Sequence, residues 1–141
     1  MQATNRIYAL DIGETRTGVA SAHTAVGIAS PHSTIVATPQ ELPQAVQKLL
    51  SNDPADTLVV GLPRGLNGQE TAQTKHVQSQ ITAIQKLVSI PIHEQDEALT
   101  SRKAEEELQA RGKPYQKGDI DALAATYILQ DFLDSHPELR G

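Results

Sequence analysis

The spacing of apolar positions changes several times along the chain, and each change marks an element. Arg6-Ile7-Tyr8-Ala9-Leu10-Asp11-Ile12 is a nearly continuous apolar run of strand length that stops at Gly13. Thr17 to Ser21 and Val26 to Ala29 read as two more strands, with Ser33 to Val36 extending the third. Their close spacing predicts an antiparallel meander. Between Pro39 and Leu50, residues Leu42, Ala45, Val46, Leu49 and Leu50 share one helix face, and Asn52-Asp53-Pro54 ends that helix. Thr57 to Gly61 has the unbroken apolar character of a strand covered on both faces. A second helix is predicted over Thr71 to Val88, from Val77, Ile81, Ile84, Leu87 and Val88. Ile90 to His93 forms a fifth strand, with Pro91 suited to a strand start or an edge.

Two more helices follow. Thr100 to Ala110 is charged, with a thin apolar stripe of Ala104 and Leu108, and Asp119 can cap a last helix whose face is Ile120, Leu123, Ala124, Tyr127 and Ile128. The order β-β-β-α-β-α-β-α-α predicts an α/β fold, a mixed five-stranded sheet flanked by helices. A length of 141 residues suits one domain over 1–141.

Composition narrows the function classes. There is no Cys, which removes disulfides and thiolate metal sites and fits a reducing compartment. The N-terminal residues lead straight into a strand, and no segment has the ~18 unbroken apolar residues of a membrane span. A cytoplasmic protein without membrane contact is therefore expected. The formal net charge of −5 counts against non-specific nucleic-acid binding. Four aromatic residues, Tyr8, Tyr115, Tyr127 and Phe132, are too few for a base-stacking platform. The stretch Gln109 to Gly118, however, carries Arg111, Lys113 and Lys117 with no acid, so a local basic loop is possible on an acidic chain. Glu105-Glu106-Glu107 reads as a solvated helix face that would repel nucleic acid.

Three acids carry the candidate chemistry. In open α/β sheets, ligands bind outside the carboxyl ends of parallel strands. Asp11 ends the first strand, Glu97 follows the last, and Asp121 opens the final helix, so the topology can bring all three to one edge. Clustered carboxylates repel one another unless a cation lies between them, and hard Mg²⁺ or Mn²⁺ ions favour such oxygen donors. Two ions ~3.5–4 Å apart would activate water and stabilise the leaving oxygen of a phosphodiester. Each acid also has an ordinary structural reading. Asp-x-Gly after a strand is often a turn, Asp96-Glu97 can be surface acids before a helix, and Asp121 can simply complement a helix dipole. Arg16 and Lys117 are candidate phosphate contacts or plain surface cations. His93 is better read as a satisfied strand-end histidine, and Asp119 as a helix cap rather than a fourth acid.

Four segments resemble the RuvX/YqgF family of ribonuclease H-like proteins, to which Holliday-junction resolution and pre-16S ribosomal RNA cleavage are ascribed. They are Ala9-Leu10-Asp11-Ile12-Gly13-Glu14-Thr15-Arg16-Thr17-Gly18-Val19-Ala20, Val59-Val60-Gly61-Leu62-Pro63 with Asn67-Gly68, Asp96-Glu97-Ala98-Leu99-Thr100-Ser101, and Ile120-Asp121-Ala122-Leu123-Ala124-Ala125 with Ile128-Leu129-Gln130. Taken in order they cover almost the whole chain, and four ordered motifs are far more specific than a lone Asp-x-Gly. The resemblance implies a ribonuclease H-like fold and a metal-dependent phosphodiesterase acting on pre-rRNA or branched DNA. It gives catalytic, metal-binding roles to Asp11, Glu97 and Asp121, with 5′-phosphate and 3′-hydroxyl products. Two positions depart from the family. Ala98 stands where Arg is common, so that Arg's contact is missing or comes from elsewhere, with Arg102 a candidate. Arg64-Gly65-Leu66-Asn67 replaces the usual Asn-Met-Asp-type loop, which bears on substrate preference more than on catalysis.

Two other functions compete. Domains resembling this one occur within transcription factors, so a non-catalytic nucleic-acid-binding module working with transcription or ribosome-maturation partners is one. The retention of all three acids favours the enzyme. Asp11-Ile12-Gly13-Glu14-Thr15 also resembles the phosphate loop of the sugar-kinase, actin and Hsp70 superfamily, but those proteins close two such lobes around ATP and 141 residues supply one.

Overall fold

A computed structural model describes residues 5–65, 67–97 and 106–139, with Glu97, Lys117 and Leu139 described by their backbone alone. Three strands open the fold: β1 (Arg6–Ile12), β2 (Arg16–His23) and β3 (Ser30–Val36). Helix α1 (Leu42–Asn52), strand β4 (Thr57–Pro63), helix α2 (Ala72–Gln85) and strand β5 (Ile92–Glu97) follow. A helical stretch over 106–110, here α3, precedes the long helix α4 (Lys117–Ser135), and a single 3₁₀ turn (Pro137–Leu139) ends the described chain. The sheet order is β3-β2-β1-β4-β5, antiparallel among the first three strands and parallel from β1 through β4 to β5.

Strand alternation divides the interior into two layers. Tyr8, Leu10, Ile12, Leu58, Val60 and Leu62 face α1 and α2, where Leu42, Val46, Val77, Ile81 and Ile84 close over them. Ile7, Ala9, Ala20, Ala22 and Val59 face the other way, onto Ala125, Ile128, Leu129, Phe132 and Leu133 of α4. Small residues dominate the sheet side of this second layer, which lets α4 lie close. A third cluster, Leu108 with Leu123 and Ala124, joins α3 to the outer side of α4. The single apolar face expected for α4 is thus two faces: Ile128 meets the sheet, while Leu123 and Ala124 meet α3.

Several predicted boundaries shift for identifiable reasons. Val26 to Ala29 is not a strand. Val26 and Ile28 are 65% and 67% exposed, and the Ala29 amide donates to Gln130 Oε1 at 2.9 Å while Gln130 Nε2 donates to the Gly27 carbonyl at 3.2 Å. Helix α4 thereby satisfies this backbone in place of a strand partner. The third strand is instead β3, which admits one extra residue, His32, where the register jumps from Val19↔Ser33 to Ala20↔Pro31. Helix α2 starts at its Thr71 cap and ends at Gln85, leaving Leu87 and Val88 beyond it. Strand β5 begins just after Pro91 and lies at the sheet edge, but it runs on to Glu97 rather than stopping at His93. Thr100 to Glu105, Ala98 and Arg102 lie outside the described residues.

Candidate metal centre

The hairpin between β1 and β2 sets the first part of the site. The Gly13 amide donates to the Arg16 carbonyl at 2.9 Å, and a Cβ on Gly13 would stand 2.5 Å from that oxygen. Only glycine fits so tight a turn, which is the physical content of the Asp-x-Gly pattern here. Asp11, half-buried, continues the Ile7 and Ala9 series on the α4 side and pairs across the hairpin with Gly18.

Gly18 is where α4 lands. A Cβ at that position would lie 1.8 Å from the Asp121 carbonyl oxygen and 2.9 Å from the Ala122 nitrogen. The backbone of Asp121 therefore sits directly over the cross-strand partner of Asp11, which brings two acids 110 positions apart (121 − 11) to one place. Thr34 Oγ1 of β3 donates to the Gly118 carbonyl at 2.8 Å and holds the first turn of α4 against the sheet.

The Asp121 side chain is 17% exposed, and its Oδ2 accepts from Arg16 Nε at 2.7 Å. Arg16 thus reaches across from the start of β2 to the acid on α4, rather than standing as a solvated turn residue. Asp121 is the fifth residue of α4, not part of its opening turn. The N-cap is Gln116, and Asp119 accepts from the Gln116 amide at 2.9 Å. Asp119 therefore caps the helix from its third position, not from the N-cap itself. Lys117 is the first residue of α4.

Glu97 ends β5 and pairs with Pro63, the last residue of β4. The parallel ladder pairs Leu10 with Val60, and Val60 in turn with Glu94. Asp11 is consequently level with Gly61 and Gln95, and Glu97 extends the same carboxyl edge by two residues. Described side chains include no cluster of three acids or histidines able to hold an ion, and the juxtaposition that the backbone sets up is that of Asp121 over Gly18, the strand partner of Asp11. Their donors are carboxylate oxygens alone, which suits a hard divalent cation. His93 lies four residues before the end of β5, with its ring 5.4 Å from Phe132, so it belongs to the packing beneath α4.

The sequence marks Arg64 only as part of a loop that departs from the family pattern, without a role of its own. This residue immediately follows β4 and reaches Asp96 Oδ1 at 3.2 Å and Glu70 Oε2 at 3.5 Å. Its signal was positional, a cation one residue past a parallel strand. The basic stretch near residue 111 lies on the outer side of α4. There Arg111, Lys113, Tyr115, Asp119 and Leu123 line a groove of about 250 Å³. Arg111 pairs with Glu107 at 3.5 Å, and the Tyr127 hydroxyl donates to Glu107, so that glutamate docks α3 onto α4 instead of facing solvent freely.

Comparison with known proteins gives the family and the fold. Residues 5–135 match the family model RuvX, described as Holliday junction resolvase. A protein of Roseiflexus sp. (strain RS-1) named "Putative pre-16S rRNA nuclease" is 41% identical over 133 residues, 92% of this chain and 94% of the relative. A Chloroflexus aurantiacus (strain ATCC 29366 / DSM 635 / J-10-fl) protein of the same name is 40% identical over 132 residues, 92% of this chain and 86% of its own. Among solved structures, T. thermophilus RuvC in complex with a Holliday junction substrate has a TM-score of 0.57 at 16% identity, covering 95% of this chain and 96% of that one. A second Thermus thermophilus RuvC structure gives 0.55 with similar coverage, and both likenesses are of fold. With the family model matching residues 5–135 and relatives 40–41% identical over 92% of its length, this chain belongs to the RuvX family.

Proposed function

We propose that this chain, acting as one domain, is a metal-dependent nuclease that hydrolyses phosphodiester bonds of structured nucleic acid. The observation that carries this reading is the seating of Asp121 over Gly18, the strand partner of Asp11. In this reading Asp11, Glu97 and Asp121 hold Mg²⁺ or Mn²⁺, as a pair of ions. Such ions would supply an activated water and charge neutralisation at the leaving oxygen. The chain itself provides the rest. Sheet and helix hold the acids at a fixed edge, and Arg16 fixes the Asp121 carboxylate from one side. Lys117, the first residue of α4, is kept in this reading as a substrate contact. The names borne by the relatives point to pre-16S rRNA as substrate, for which we propose cleavage at the 5′ end, and the family description points to the Holliday junction, a branched DNA. Among the described residues no helix is long and apolar enough to cross a membrane. A cytoplasmic site of action fits both substrates.

The test is direct. Wild type and Asp11→Asn are incubated with a labelled pre-16S leader RNA and a four-way DNA junction, each with Mn²⁺ and with EDTA. The expected result is cutting by wild type in Mn²⁺ alone, with the faster substrate naming the class. Cutting retained by folded Asp11→Asn would overturn the metal assignment. Binding without cutting by wild type would favour a non-catalytic module.

A further inference from the structure

We infer that Arg64 grips a backbone phosphate of the nucleic-acid substrate at the carboxylate edge, an inference that rests on the nuclease reading above. Strand β4 lies between β1 and β5, and Arg64 is the first residue past its end. It therefore leaves the sheet between the strands that carry Asp11 and Glu97.

The base of this residue is fixed while its head is held loosely. The Gly65 amide donates to the Gln69 carbonyl and the Gly68 amide to the Gly65 carbonyl, both at 2.9 Å. Gly68 turns with φ +78°, so the loop doubles back on itself right after Arg64. The Arg64 side chain is only 24% exposed, yet its partners Asp96 and Glu70 are 69% and 49% exposed and stand 3.2 and 3.5 Å away. Arg16 offers the contrast, bound at 2.7 Å to an Asp121 that is 17% exposed. Charge-assisted pairs normally close to about 2.7–2.9 Å, and exposed ones contribute little. Arg16 is committed to the site, whereas the acids around Arg64 hold it oriented without satisfying it.

A polyanion approaching this edge meets Asp11, Asp96 and Asp121, and needs a cation there to offset their repulsion. A guanidinium engages two phosphate oxygens in its planar fork, a geometry the two separate acids do not reproduce. Arg64 exchanges Asp96 and Glu70 for that phosphate. Phosphate is common to RNA and DNA, so the contact serves either substrate.

The experiment is equilibrium binding by fluorescence anisotropy, with Ca²⁺ as a non-cleaving ion. The probes are a four-way DNA junction and a stem-loop leader RNA, each measured across a salt series. Relative to wild type, Arg64→Ala should bind about tenfold more weakly. The slope of log K against log salt should shrink by about one phosphate contact. Arg64→Lys should keep the slope and lose part of the affinity, a separation that a merely structural role would not produce. Loss confined to one probe would name the substrate class that Arg64 serves. A wild-type slope in Arg64→Ala would overturn the inference alone. Failure of wild type to bind either probe would overturn the nuclease reading beneath it.

Discussion

Arg16 Nε and Asp121 Oδ2 meet at 2.7 Å across 105 residues of chain, joining the start of β2 to α4. The carboxylate is 17% exposed and the guanidinium 39% exposed, so solvent screens the pair only partly. A double-mutant cycle of Arg16→Ala and Asp121→Asn, followed by urea unfolding in EDTA, should give a coupling of about 1–2 kcal/mol, above the ~0–1 kcal/mol of surface pairs. A coupling near zero would mean that the pair does not fix the carboxylate.

Gly18 and Gly61 both lie under α4, but what they touch differs. A Cβ at Gly18 would strike the Asp121 carbonyl at 1.8 Å, a backbone atom with nowhere to go. At Gly61 it would meet Ile128 Cδ1 at 2.3 Å, the end of a side chain that can change rotamer. Gly18→Ala should therefore cost about 2–3 kcal/mol and abolish metal-dependent cleavage, since Asp121 moves away from Asp11. Gly61→Ala should cost about 1 kcal/mol and leave most of the activity. Equal effects of the two on activity would show that the seating of α4 on β2 does not set the site.

These contacts also show where reading from sequence ends. Hydrophobic period found α1, α2 and the buried strands because burial there follows the local repeat. The same rule misread Val26 and Ile28, which are apolar yet exposed, because Gln130 takes up the neighbouring backbone from 101 and 103 residues away. Asp11 and Asp121 were legible as acids at element ends. That the backbone of Asp121 sits over the strand partner of Asp11 depends on the missing side chain of Gly18, which no spacing rule encodes. Asp119 was read as a cap, and it does cap, but from the third helical position. Arg64 was legible only as part of a loop bearing on substrate preference, because its place comes from strand order, with β4 between β1 and β5.

At the other end of the sheet, Asp53 gathers Arg6, Tyr8 and His32. Arg6 pairs with its Oδ1, His32 Nε2 lies 3.1 Å from Oδ2, and the Tyr8 hydroxyl donates to the Asp53 backbone carbonyl at 2.8 Å. The hydrogen bond from Arg6, with smaller help from Tyr8 and His32, holds the Asp53 carboxyl down at about 2. A folded-state value below the unfolded ~3.9 gives stability that is present above pH ~4 and lost as pH falls toward 2. In thermal melts from pH 7 to 2, Asp53→Asn should start below wild type and converge on it at the acid end. A gap that stays constant with pH would exclude this linkage.

Metal binding itself can be read without any substrate. An ion that binds only the folded chain stabilises it by about 2.7 kcal/mol at a hundredfold excess over Kd. For a domain of this size, that should raise Tm by roughly 10 °C. Mn²⁺ should produce such a rise in wild type and EDTA should reverse it, while Asp11→Asn and Asp121→Asn should melt at the same temperature in both. Asp119→Asn is the informative control. Its carboxylate accepts from the Gln116 amide, so the substitution should lower Tm modestly through the lost cap yet keep the full metal-induced rise. If the rise disappears in Asp119→Asn as well, Asp119 is a fourth ligand and its capping hydrogen bond opens when the ion enters.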